Sequence, residues 1–211
     1  WIVDNELYHN SGDGIQINAG DQSAQAGTHH IYIGRNLAWE NRQTGFWTKQ
    51  AVDVIFSQNT ARAHRPSSGS GSDGTCSGRQ YAPERVWWLF NHFYDCETGI
   101  KYQEDASLGF GKDSYIIGNL IHNIHHSAST WDPTGTPDCI ASGMCFRGGV
   151  NKYIIGNTIY DVDAGISGFG RINALNNIIS NVSGIAYSHH FRIDDRDGGQ
   201  VVADSNIDNN V

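Results

Sequence analysis

The chain has 211 residues, a formal charge of −8 with only 14 Lys plus Arg, and no apolar run near the length that spans a membrane. That balance argues against nucleic acid or an anionic membrane surface as the main partner, so an anionic polymer would need a local basic site. Twenty-five glycines and four prolines among many isoleucines, valines and aromatics, without any twelve-residue window of helical periodicity, predict one domain of short strands punctuated by turns.

Taken in chain order, the predicted units share a phrase anchored on asparagine. It runs "IVDNEL" at Asn5, "YIGRNL" at Asn36, "IFSQNT" at Asn59 and "WLFNHF" at Asn91. It becomes plainest as "YIIGNL" at Asn119 and "YIIGNT" at Asn157, then continues at Asn177 and Asn206. The separations are 31, 23, 32, 28, 38, 20 and 29 residues, the size of one supersecondary unit with insertions of variable length. A second phrase follows most anchors: "GIQI" at Gly14, "GFWT" at Gly45, "GIKY" at Gly99, "GISG" at Gly165 and "GIAY" at Gly184, with "GMCF" at Gly143 arriving late. Each unit therefore reads as strand, turn, strand, loop. Strands this short bury an apolar face only if each unit stacks in register on the next, and the asparagines then form a ladder at one turn.

These phrases resemble the right-handed parallel β-helix superfamily. It includes pectate-lyase-like polysaccharide lyases, some polysaccharide hydrolases, uronan epimerases and phage tail-spike enzymes. The resemblance covers nearly the whole chain and implies an all-β, right-handed, single-stranded parallel β-helix of about eight coils with long loop insertions, a rod of roughly 38 Å. It is specific for the fold and not for one activity. Neither "WIVDN" nor "NIDNNV" looks like a capping segment and no leader precedes Trp1. The expectation is a single domain over 1–211 that is a fragment or processed part of a longer protein, or whose ends are covered by another domain or by self-assembly.

Registering the units lines up two aromatic columns. Three residues after the anchor stand Tyr8, Trp39, Arg62, Tyr94, His122, Tyr160 and Ser180. Four residues before it stand Trp1, Tyr32, Ile55, Trp87, Tyr115, Tyr153 and Asn173. Parity at a turn is not fixed by sequence, so three readings stand: stacking inside or under a loop, a platform for sugar rings, or a protein interface.

Alternation after the glycine phrase places Lys49, Lys101 and Arg147 on one sheet face with Gln16, Asn18 and Gln103. Two insertions, His64 to Arg85 and His125 to Ser142, would wall a groove around the fourth coil, which also carries Glu97. The resemblance gives these residues roles. Lys101 in "TGIKYQ", or Lys49, would be the base that removes the proton beside a uronate carboxylate, with Arg147 neutralising that carboxylate. Asp13 in "SGDGIQI" resembles a calcium-holding carboxylate, although it has no close acidic neighbour and lies about three coils from Lys101. Trp47, Tyr102, Glu97, Gln103, Tyr94 and His122 complete the candidate substrate-binding set. Each has a plainer reading as a strand lysine, turn aspartate or packed aromatic.

Four cysteines without metal-ligand spacing predict disulfides, Cys76 with Cys96 and Cys139 with Cys145, hence a secreted or cell-surface protein. Asn181 opens a glycosylation sequon. "HNIHHS", with His122, His125 and His126, fits a loop better than a metal site. The leading expectation is a lyase of an acidic polysaccharide, with calcium as a possible cofactor. One alternative is a non-catalytic adhesin, surface-layer or filament segment assembling through its aromatic columns and ends. Another is a hydrolase using paired carboxylates such as Asp194, Asp195 and Asp197.

Overall fold

A computed structural model describes residues 1–65, 74–103, 111–126, 141–148, 151–183, 190–193 and 206–208. Each coil contributes three strands, one more than the sequence phrase predicts, and every strand pairing is parallel between successive coils. Sheet A stacks Ile2–Val3, His29–Gly34, Val52–Ser57, Glu84–Leu89, Ser114–Ile117, Lys152–Ile155, Ile172–Leu175 and Asn206–Asp208. Sheet B stacks Glu6–Tyr8, Leu37–Trp39, Thr60–Arg62, His92–Tyr94, Leu120–Ile124, Thr158–Val162 and Ile178–Val182. Sheet C stacks Ile15–Asn18, Thr44–Lys49, Thr75–Gln80, Thr98–Gln103, Ser142–Phe146, Ala164–Gly168 and Phe191–Ile193. This is a parallel β-helix.

The corner from sheet A to sheet B is always two residues long. Its first residue has positive φ in all seven coils, at Asp4, Arg35, Gln58, Phe90, Gly118, Gly156 and Asn176. Four of those are neither glycine nor asparagine, a left-handed conformation that costs about 1–2 kcal/mol per residue. The second corner residue, the anchor asparagine, offsets that strain. Each side-chain Nδ2 donates to the Oδ1 of the next coil's asparagine at 2.9 to 3.1 Å, from Asn5 through Asn36, Asn59, Asn91, Asn119 and Asn157 to Asn177. The same Oδ1 also accepts the backbone N–H of the coil before, and Nδ2 reaches a strand carbonyl, as Asn119 does at Trp88 O. Buried amides survive only when paired, and these are.

Asn206 departs from the expectation. Strand Asn206–Asp208 pairs Asn206 with Asn173 and Asp208 with Leu175, so Asn206 sits four residues upstream of the ladder. The register that would continue Asn177 falls at position 210, outside the described residues. "SNIDNN" holds three asparagines, and strand pairing, not residue type, chooses among them.

Ile33, Phe56, Trp88, Ile116 and Ile154 from sheet A meet Ala61, Phe93, Ile121 and Ile159 from sheet B and Phe46, Ile100 and Met144 from sheet C in one core. The repeated glycine of sheet C exists because the bend brings strands close. A Cβ on Gly99 would lie 2.3 Å from Gly143 O and 2.7 Å from the Ile121 side chain. The third coil has Cys76 at this position, and its disulfide to Cys96 spans 20 residues. That coil also corrects the first insertion. "TCSGRQ" lacks the glycine-apolar phrase, yet it forms a regular strand in which the inward Ser77 is satisfied: Ser77 Oγ donates to Phe46 O and accepts from Trp88 Nε1. Arg79 also turns inward, with its guanidinium 4.3 Å from the Tyr102 ring and donating to Ser114 Oγ.

Candidate functional site

The segments between strands divide the surface. Every A–B corner is short, whereas B–C segments run from one residue to seventeen and C–A segments from two to twelve. All length variation therefore borders sheet C, and binding residues concentrate on faces framed in this way.

On sheet C, Phe46, Ser77, Ile100, Met144 and Ile166 pair in register and point inward. Their successors Trp47, Gly78, Lys101, Cys145 and Ser167 consequently face outward, and Gln16 and Arg192 join that row. A second outward row holds Asn18, Lys49, Gln80 and Gln103, with Arg147 next in register. Among the described residues these two rows supply four cations, Lys49, Lys101, Arg147 and Arg192, and no carboxylate. In a chain of charge −8 that is a local inversion of sign.

The face is partly covered. Trp47 is 1% exposed and lies over Gly78, where a Cβ would come within 2.3 Å of its ring. Lys101 is 5% exposed. Lys49 is half-buried with its Nζ 5.7 Å from the Tyr81 ring centroid, and Gln103 and Arg147 are half-buried. Tyr102, expected among the substrate-binding residues, is a core residue instead. It shares the parity of Ile100, stands 5.6 Å from Trp88 and 4.8 Å from Phe146 between ring centroids, and is fully buried.

Glu97 sits at the B–C edge, nearly buried, with Oε1 2.6 Å from His126 Nδ1. Beside it His125 Nδ1 meets Asp163 Oδ1 at 2.7 Å, the backbone N–H of His126 donates to Asp163 Oδ2, and Arg65 pairs with Asp95. The sequence places these groups far apart, and only the stacking of coils across insertions brings them together. Asp13 accepts a bond of 2.7 Å from Thr44 Oγ1 and precedes the first strand of sheet C, three strands from Lys101. Among the described residues no group of three or more His, Cys, Asp or Glu is placed to hold a metal ion. Asp13 lies in no such group. Cys145 is buried, and its expected partner Cys139 lies outside the described residues, as do Asp194, Asp195 and Asp197. Asn181 is exposed on the B–C edge, its Nδ2 donating to Asp161 Oδ1.

Both aromatic columns face outward, which resolves the open parity. On sheet B, Tyr8 stacks on Trp39 at 4.6 Å, Arg62 lies 5.2 Å from Trp39, and Tyr94, His122 and Tyr160 stack at 5.1 and 4.8 Å, all nearly parallel. On sheet A, Trp87, Tyr115 and Tyr153 stack at 5.3 and 5.1 Å. Stacking at the coil repeat consumes the ring faces and presents edges to solvent. Inside a stack, rings offer a sugar no free face, so Tyr94 and His122 contribute polar edges instead of a platform. Sequence reasoning missed His92, which leans across to His122 with Nε2 2.8 Å from Nε2. Desolvation holds both imidazoles below the ordinary histidine value, and at His122 the charge of His92 adds to it.

No helix among the described residues is long and apolar enough to cross a membrane. No family model and no curated protein matches the chain. Among solved structures, the chain is similar to that described as the crystal structure of PfbA, a surface adhesin of Streptococcus pneumoniae, with 12% identity and a TM-score of 0.30. The similarity covers 74% of this chain and 58% of that one, so less than two thirds of that structure's length is spanned. The three parallel sheets establish the fold without it.

Proposed function

We propose that this β-helix is a secreted or cell-surface protein that holds an acidic, uronate-containing polysaccharide along the outer face of sheet C. The carrying observation is the pair of rows that includes Lys49, Lys101, Arg147 and Arg192 and, among the described residues, no carboxylate. Fixed positive charge of this kind offsets the desolvation of sugar carboxylates.

The same face supports cleavage by β-elimination. Arg147, just past the end of the strand next to Lys101 and two residues along in register, would pair with one carboxylate and stabilise the enolate that forms. A neutral Lys101 amine, with Lys49 as the alternative base, would take the proton from the carbon beside that carboxylate. The electron pair left behind forms the new carbon–carbon double bond as the glycosidic carbon–oxygen bond breaks, and the leaving oxygen takes up a proton. No step is assigned to calcium.

A second reading, a non-catalytic adhesin, is favoured by a different observation: Trp47 and Lys101 are covered. One experiment separates the two. The protein is run through gels containing polygalacturonate, alginate or a neutral glucan, and incubated with each, with and without calcium, while absorbance from unsaturated sugar ends is followed. Retardation with new absorbance supports the lyase, and retardation by uronate polymers without absorbance supports the binding protein. No retardation by either uronate polymer removes the acidic-polysaccharide proposal.

A further inference from the structure

We infer that His92 and His122 form a two-imidazole chelate for a tetragonal divalent metal, with copper(II) as the ion it takes best. The site is on sheet B, away from the cationic face, and owes nothing to the polysaccharide proposal.

The two histidines come from neighbouring strands, with His92 opposite Leu120 and His122 two residues further along. Diagonal neighbours start roughly 7–8 Å apart at Cα, so the side chains lean together to bring Nε2 within 2.8 Å of Nε2. Two imidazole lone pairs tolerate that distance only when a proton lies between them, one ring donating Nε2–H to the other. A metal ion can replace that proton, which leaves to solvent.

Distance chooses the ion. With metal–nitrogen bonds of about 2.0–2.1 Å, two ligands at a right angle stand about 2.9 Å apart, whereas tetrahedral ligands stand about 3.4 Å apart. The observed 2.8 Å is close to the separation of the right-angled pair, and each ring turns away from the line between the two nitrogens to aim both lone pairs at one point. Right-angled imidazole sites suit copper(II) or nickel(II), and copper(II) heads the affinity order. Since no third His, Cys, Asp or Glu joins them among the described residues, water fills the remaining positions.

The rings are also held in place. His122 is clamped between Tyr94 and Tyr160, with planes 1° and 6° from parallel, and His92 rests 4.6 Å from Tyr94. Ordering two rotamers in advance removes part of the entropy cost of chelation.

The test titrates the protein with copper(II) supplied as its glycine complex and reads affinity calorimetrically and coordination by pulsed electron paramagnetic resonance. The wild type is expected to bind one tight equivalent with an axial spectrum and two coupled imidazoles. Losing an outer-shell partner costs 10–100-fold, so His92→Gln or His122→Gln is expected to weaken binding by about a hundredfold or more and leave one imidazole or none. His29→Ala/His30→Ala, which removes another pair of histidines in ring contact, should bind as wild type. Circular dichroism confirms that each variant is folded, and His92→Gln leaves the Tyr94–His122–Tyr160 stack in place. Unchanged affinity and two coupled imidazoles in both glutamine variants would overturn the proposal, as would loss of the tight equivalent in the His29/His30 control.

Discussion

Asn119 and Asn157, thirty-eight residues apart, meet through a single oxygen: Asn157 Oδ1 accepts both the backbone N–H and the side-chain Nδ2 of Asn119, each at 2.9 Å. Asn119 in turn serves Asn91 in the same way. Asn119→Ala therefore strips a partner from the Asn91 N–H, the Asn91 Nδ2 and Trp88 O. At about 1–3 kcal/mol for each of these three buried groups left unpaired, a loss of about 3–9 kcal/mol is expected in urea unfolding. Asn119→Asp keeps the shape and loses the donors, facing Trp88 O and Asn157 Oδ1 with a carboxylate, and should lose at least as much at neutral pH.

The Cys76–Cys96 bridge closes 20 residues, nearly one short coil. Constraint of the unfolded chain over a loop of that length is worth about 3 kcal/mol. The Cys76→Ala/Cys96→Ala pair should lower the urea midpoint accordingly, with sheet content by circular dichroism unchanged.

His64 is fully buried, its Nδ1 3.2 Å from Asn41 O, and desolvation lowers its pKa to about 4. Between that value and the ordinary 6.5 the unfolded chain binds a proton that the folded chain refuses, so stability falls as pH drops through this window and levels off below it. The full effect is about 3 kcal/mol at 1.36 kcal/mol per pH unit. Unfolding of wild type and His64→Gln at pH 7.5 and 4.5 should show a difference that shrinks at the lower pH; a constant difference would sink the assignment.

Gly78 leaves room for the Trp47 ring and for Lys101 O, which a Cβ would approach to 2.3 and 2.2 Å. Gly78→Ala should displace the indole and cost about 1–3 kcal/mol as an overpacked site. A red-shifted tryptophan emission in the folded variant would report the displacement.

If sheet C binds uronate polymers, Arg147→Gln and Arg192→Gln should each weaken retention in affinity gels. The difference from wild type should narrow as salt rises and the Debye length falls from about 10 Å at 0.1 M to about 3 Å at 1 M. Retention by a neutral glucan should stay unchanged.

Much of this was legible in the sequence, and for a physical reason. The corner at each anchor has room for one kind of side chain, so the asparagines repeat even where the strands around them drift. Alternation alone would have sent Tyr102 inward with Ile100. Coil three stayed hidden because Ser77 and Arg79 replace apolar residues and are satisfied by bonds invisible to pattern. The His126–Glu97 and His92–His122 contacts depend on which residue of one coil lands beside the next, and insertions as long as seventeen residues erase that from linear spacing.

A coil of twenty residues and a coil of thirty-eight return to the same two-residue corner. The ladder therefore works as a clock that resets every turn: whatever length of chain departs around sheet C, the next strand begins in phase. Additions on the C side are absorbed within their own coil, whereas a single residue added at the corner would shift every strand after it. A designer could rewrite the borders of sheet C at will, and has no freedom at all along that seam.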